Sequence, residues 1–136
     1  MNNPVFINIM VKDLNSSMEF FKKIGFDFDL RFTDENVACM IISENVYAML
    51  QVREFFKKFT KKDICDAYKS TEAIFSIGLG SKEEVDKIVN KAFDIGGKYF
   101  KDPIDYGYMY EWGFEDLDGH LWEMFHMKAM EEFPDQ

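Results

Sequence analysis

Twice along this chain a run of alternating apolar residues leads into a capped helix and then into three further short strands. No other feature narrows the fold as much. A repeat of about 50 residues in two copies falls short of the three or more that a solenoid needs. The pattern therefore predicts an internally duplicated α+β domain whose curved sheets face each other. In the first copy Val5, Ile7, Ile9 and Val11 alternate with Phe6, Asn8 and Met10, the period of a strand. Both sets are fairly apolar, as expected for a strand inside a sheet covered on both sides. Asp13 can cap a helix, along which Leu14, Ser17, Met18, Phe21 and Ile24 recur at helical spacing, with Gly25 as the left-handed exit. Strands are predicted over 26–32, 37–43 and 46–52. The gap at Glu44-Asn45 is short enough to make the last two a hairpin.

The second copy opens with a predicted strand over 73–79 and a capping box, Ser81-Lys-Glu-Glu84. Val85, Ile88, Val89, Ala92 and Phe93 form the apolar stripe of its helix, closed by Gly96-Gly97. A short strand over 98–101, broken by Asp102-Pro103, precedes two longer ones over 108–115 and 120–127, joined by Asp116-Leu-Asp-Gly119. Between the copies, Phe55, Phe56, Phe59 and Ile64 are interleaved with Lys57, Lys58, Lys61 and Lys62. A nucleic-acid or membrane contact is one reading of that stretch. A linker packing its phenylalanines with lysines in water suits the acidic background better. The predicted organisation is one domain over 1–136: module one at 4–52, linker at 53–70, module two at 71–127 and a polar, fraying tail at 128–136.

Composition excludes several classes. With 47% apolar residues and 15 phenylalanines in 136 positions, the chain can bury a core and is not disordered. Its net charge of −9 opposes both nucleic acid and anionic lipid. No apolar run nears the roughly 20 residues of a membrane helix. The amino terminus reads as a mature strand, so a cytoplasmic location is expected. Cys39 and Cys65 have no metal-type spacing. No glycine-rich phosphate loop or Ser-His-Asp set occurs, and neither nucleotide nor flavin is expected.

The segment Phe6-Ile-Asn-Ile-Met-Val-Lys-Asp-Leu14, with Ser17, Phe20, Phe21 and Gly25-Phe26 behind it, resembles the opening strand and helix of vicinal oxygen chelate proteins. These include glyoxalase I, fosfomycin-resistance enzymes, extradiol dioxygenases and bleomycin-binding proteins. Phe114-Glu-Asp-Leu-Asp-Gly-His-Leu-Trp-Glu-Met-Phe125 resembles their closing turn and carboxylate-bearing last strand, with Leu117 where proline is usual. The resemblance covers residues 4–127 and implies two βαβββ modules in a glyoxalase/bleomycin-resistance-type curved mixed sheet. In metal-dependent members, side chains from the first and last strands of each module hold a divalent ion that polarises two neighbouring substrate oxygens. Carried over by position, the ligand sites fall at Phe6, Gln51, Glu72 and Glu123. Phe6 has no donor, though Asn8 lies on the same face, and a one-residue shift would replace Gln51 by Leu50. Such an oxygen-rich set implies Mg, Mn, Ni or Zn, with Glu123 as ligand and proton-transferring base.

Plainer readings stand beside these. Glu123, between Trp122 and Met124, needs a partner, which could be a metal, an added proton, or a lysine or tyrosine hydroxyl. A solvated strand end accounts equally for Glu72. If both carboxylates face one cavity without metal, repulsion would raise one pKa and make a general acid/base. His120 reads as a turn residue and Cys39 as inert core. A simple hairpin register pairs Trp112 with Glu123 and Tyr110 with Phe125. That would set both aromatics in a cavity with Phe6, Met10 and Met49; a one-residue slip would send them to the helix side. The leading expectation is a metal-assisted lyase or isomerase of the glyoxalase (lactoylglutathione lyase) type, homodimeric, acting on a small oxygenated substrate. Its rival is a metal-free protein of bleomycin-resistance type that sequesters an aromatic or hydrophobic molecule, for which Phe6 speaks. A dimeric interaction module without ligand is the third.

Overall fold

A computed structural model describes residues 3–128 of the chain, so most of the tail expected at 128–136 lies outside the described residues. The chain divides into two compact units, Met1–Ser70 and Thr71–Gln136.

The first unit runs β1 (Val5–Val11), α1 (Leu14–Lys23), β2 (Asp27–Asp29), β3 (Val37–Ser43), β4 (Val46–Val52) and a single turn of helix, α2 (Arg53–Phe56). Its sheet has the order β1-β4-β3-β2, with β1 and β4 parallel and the remaining pairs antiparallel. The Asp13 carboxylate accepts from the Ser16 amide at 3.0 Å, and Gly25 leaves the helix at φ +116°. Leu14, Ser17, Phe20 and Phe21 form the buried face of α1. The sheet residues of one parity, Ile9, Val11, Ala38, Met40, Ala48 and Leu50, make the core with them. Only 27–29 of the predicted 26–32 strand pairs. Asp29 accepts from the Arg31 amide at 3.1 Å and holds its guanidinium at 2.8 Å, which bends 30–32 into a 3-10 turn. A short acidic side chain offering the backbone a local bond is a known competitor of the ladder.

The second unit runs β5 (Ile74–Gly78), α3 (Lys82–Asp94), β6 (Ile104–Asp105), β7 (Met109–Glu115) and β8 (Leu121–Met127), in the order β5-β8-β7-β6 with β5 and β8 parallel. Ser81 Oγ accepts from the Glu84 amide at 3.1 Å, while the Glu84 carboxylate reaches the Gly80 amide at 2.8 Å, one residue ahead of a reciprocal box. Val85, Val89 and Ala92 bury the inner face of α3 against β7 and β8. The strand predicted at 98–101 shrinks to one bridge, Lys98 to Glu115, and β6 lies beyond Pro103. The reason is local: the Lys101 carbonyl accepts from the Trp112 indole at 3.1 Å instead of a ladder amide, and proline has no N–H to give. Among the described residues no helix is long and apolar enough to cross a membrane.

Candidate functional site

The second sheet presents Glu123 on the face away from α3, flanked across the ladder by Ser76 on β5 and Gly113 on β7. Trp112 therefore stands opposite Met124, and Tyr110 opposite His126, one residue from the simple register. Both expected ligand-binding aromatics lie on the helix side. The Tyr110 hydroxyl donates to Asp86 of α3, and burial together with that bond pushes its pKa up. The Trp112 ring meets Phe93 of α3 edge-on at 5.5 Å. The slip comes from the turn. Asp116 N donates to the His120 carbonyl at 3.0 Å, so the loop is the three residues Leu117, Asp118 and Gly119, with Gly119 at φ +90°. A three-residue loop closed by a left-handed glycine takes His120 out of the strand and moves the pairing by one.

Glu123 meets a cation within its own unit. Lys101 Nζ is paired with Glu123 Oε2 and lies 3.4 Å from Glu111 Oε1, while Ser76 Oγ donates to Glu123 Oε1 at 3.2 Å. The Tyr106 hydroxyl completes the group by donating to Glu111 Oε1 at 3.0 Å. The three charged side chains are only 24%, 15% and 13% exposed for Lys101, Glu111 and Glu123. Burial by itself would lower the Lys101 pKa, but the hydrogen bond and charge of Glu123, aided by Glu111, outweigh it and hold it above the usual 10.5. A raised lysine stabilises the fold fully below that ordinary value and loses its contribution as pH rises through the folded one. Lys101→Met is therefore expected to cost about 1–2 kcal/mol at neutral pH, since it strands two half-buried carboxylates. The gap from wild type should hold up to about pH 10.5 and narrow only above it in urea titrations. A constant gap would contradict the pairing. That Glu123 needs a partner was legible from its apolar strand; that a lysine meets it, and which one, was not.

Glu72 lies outside the strands of the second sheet. It is exposed, lies before β5 begins, and precedes Ser76 by four residues, up to about 13 Å of extended chain.

On the first sheet the parallel register sets Phe6 by Tyr47, Asn8 by Met49, and Met10 by Gln51, all on the face opposite Leu50 and the α1 core. Phe6, Asn8, Met10, Met49 and Gln51 thus share one face, and the shifted alternative, Leu50, is core. Phe6 is 50% exposed and stacks on Tyr47 with ring centroids 5.0 Å apart. Gln51 is 3% exposed; its Nε2 donates to Asn8 Oδ1 at 2.6 Å, and its Oε1 is buried with no partner among the described residues. Cys39 is buried beside Met49 in the β3–β4 register, and burial pushes its thiol up, away from reactivity. A buried carbonyl left unpaired costs about 1–3 kcal/mol. Gln51→Leu is accordingly expected to be neutral or to stabilise the chain by up to about 1 kcal/mol, read from the thermal midpoint; a loss above 1 kcal/mol would show that Gln51 serves the fold.

No protein-family model matches the chain, and no curated protein matches it. Solved structures do. A glyoxalase/bleomycin resistance protein/dioxygenase family enzyme from Burkholderia phytofirmans superposes with a TM-score of 0.76 at 16% identity, covering 92% of this chain and 98% of that one. This chain has the glyoxalase/bleomycin-resistance fold. A hypothetical protein from S. aureus shares it at a TM-score of 0.78 and 26% identity, over 93% of this chain and 94% of its own. So does the genomically encoded fosfomycin resistance protein FosX from Listeria monocytogenes, at 0.67 and 18%, over 98% and 99%. The Burkholderia and Listeria proteins thus bear names from the group to which the opening and closing segments are similar.

The divalent ion implied for this fold does not fit the residues present. The first sheet offers a phenyl ring and an amide already bonded to Asn8. The second offers a carboxylate whose charge is met by an ammonium. Among the described residues no group of three or more His, Cys, Asp or Glu side chains could hold a metal ion.

Proposed function

We propose that this chain is a metal-independent binding protein for a small, flat or apolar molecule, akin in its role to the bleomycin-resistance proteins rather than to the lyases. The observation that carries this reading is Phe6. Where a metal-dependent site needs a donor, the chain has a half-exposed ring stacked on Tyr47, with Met10 and Met49 on the same face. An aromatic pair gives a flat molecule area and offset stacking, and methionine adapts to its outline. The Lys101–Glu123 pair agrees, because it supplies internally the positive charge that an ion would bring. On the same reading the chain works in the cytoplasm as a homodimer, which sedimentation would test.

The neutral dye N-phenylnaphthylamine suits the test, since the chain's charge of −9 would repel an anionic probe. Binding with enhanced fluorescence is expected, weakened about tenfold in Phe6→Ala by loss of the stacked ring. The competing reading is the metal-assisted lyase or isomerase, favoured by a carboxylate on the last strand. It would prevail if untagged protein carried a stoichiometric divalent ion that Glu123→Gln loses, and if the loaded protein turned over the hemithioacetal of methylglyoxal.

A further inference from the structure

We infer that Gln51 and Asn8 form an amide-reading subsite that takes the edge of a planar lactam, imide or carboxamide whose ring lies on the Phe6–Tyr47 stack. This rests on the binding reading above and names the ligand class for it.

Two independent observations meet on one face. The first is the orphan acceptor. Gln51 is almost wholly buried, yet among the described residues its Oε1 has no partner, while its Nε2 is spent on Asn8. Buried side-chain oxygens in folded proteins are nearly always paired, and an unpaired one calls for a donor that protein atoms do not supply. The second is the Phe6–Tyr47 stack, whose Phe6 ring is half exposed. The register sets them close together. Phe6 and Asn8 are successive same-face residues of β1, about 7 Å apart along the strand, which is the breadth of a fused bicyclic ring. Met49, beside Asn8, adds an adaptable side chain to the same face.

Polarity selects the class. Gln51 Oε1 can only accept. Asn8 has committed its oxygen to Gln51 and keeps its amide nitrogen as a donor on an exposed residue. A ligand edge bearing an N–H next to a C=O satisfies both groups at once. A hydrocarbon, an ether or a carboxylate does not, and a carboxylate would also be repelled by the acidic chain.

The test compares carbostyril, a bicyclic lactam, with its N-methyl derivative, which keeps the ring and the carbonyl but has no N–H. By fluorescence titration, wild type should bind the lactam at least tenfold more tightly. In Gln51→Leu the ratio should fall to about one, with an unfolding midpoint no lower than that of wild type as the check on folding. The ratio measured on wild type needs no variant and stands if Gln51→Leu fails to fold. Equal binding of the two lactams, or dye binding with neither lactam bound, would overturn the subsite and leave the aromatic face standing. A Gln51→Leu variant that still prefers the N–H form would also overturn it. Failure of all three probes to bind would overturn the binding reading itself.

Discussion

Asp116→Ala is expected to lower the unfolding free energy by about 3–5 kcal/mol, more than any charge on the surface could. The carboxylate is 1% exposed and accepts three bonds: from the Asp118 amide at 2.9 Å, the His120 amide at 3.0 Å and the Trp122 indole at 2.9 Å. Burial pushes this carboxyl above its ordinary range, against the pull of His120, the Trp122 indole and the Asp118 amide. Alanine would leave all three donors in place with nothing to receive them, one of them on the largest fully buried side chain of the core. Asp116→Asn keeps an oxygen for the two amides and turns only the indole bond against itself, so a smaller loss of about 1–2 kcal/mol is expected. Urea unfolding followed by tryptophan fluorescence measures both. A deficit below 1 kcal/mol for the alanine variant would show that the turn holds itself without this side chain.

Gly113→Ala should be comparably damaging, by about 3 kcal/mol or more. A Cβ at this position would stand 2.3 Å from the backbone oxygen of Trp122 and 3.1 Å from the Phe100 ring. The ring could move, but the oxygen belongs to the β8 backbone, so β7 and β8 would have to part. Gly78 is the control. There a Cβ would meet only the Phe125 side chain, at 3.1 Å, which can turn aside, and the expected cost is about 1 kcal/mol. Soluble yield and the urea midpoint report the difference. Equal midpoints for the two variants would mean that the β7–β8 ladder yields more easily than its backbone contact implies. Because Gly113 is level with Glu123, the same substitution should also disturb the Lys101 pair.

These two positions illustrate what a sequence can and cannot disclose. Asp116 and Gly119 were legible as a turn, because a short acidic residue and a glycine three positions on have few other uses. That the turn encloses three residues rather than four was not legible, since both loops use the same letters. The whole parity of β7 hung on that difference, and with it the assignment of Tyr110 and Trp112 to the α3 side. Strand β6 was misplaced for a related reason. Residues 98–101 have the composition of a strand, but pairing depends on which carbonyls remain free, and a distant indole had claimed that of Lys101.

Local order was set by the chain alone. Asp13 and Ser81 cap their helices, Gly25 and Gly96 end them with positive φ, and the strands Val37–Ser43 and Val46–Val52 part at the turn residues Glu44-Asn45, since each depends on residues within a few positions. The duplicated element order follows in the same way. Partnership was decided only in three dimensions. Lys101 reaches Glu123 across 22 positions, and Gln51 reaches Asn8 across 43. Separations of that size carry no periodic signal. Such contacts form because burial makes an unpaired charge or amide costly, and the fold brings the nearest complementary group within reach.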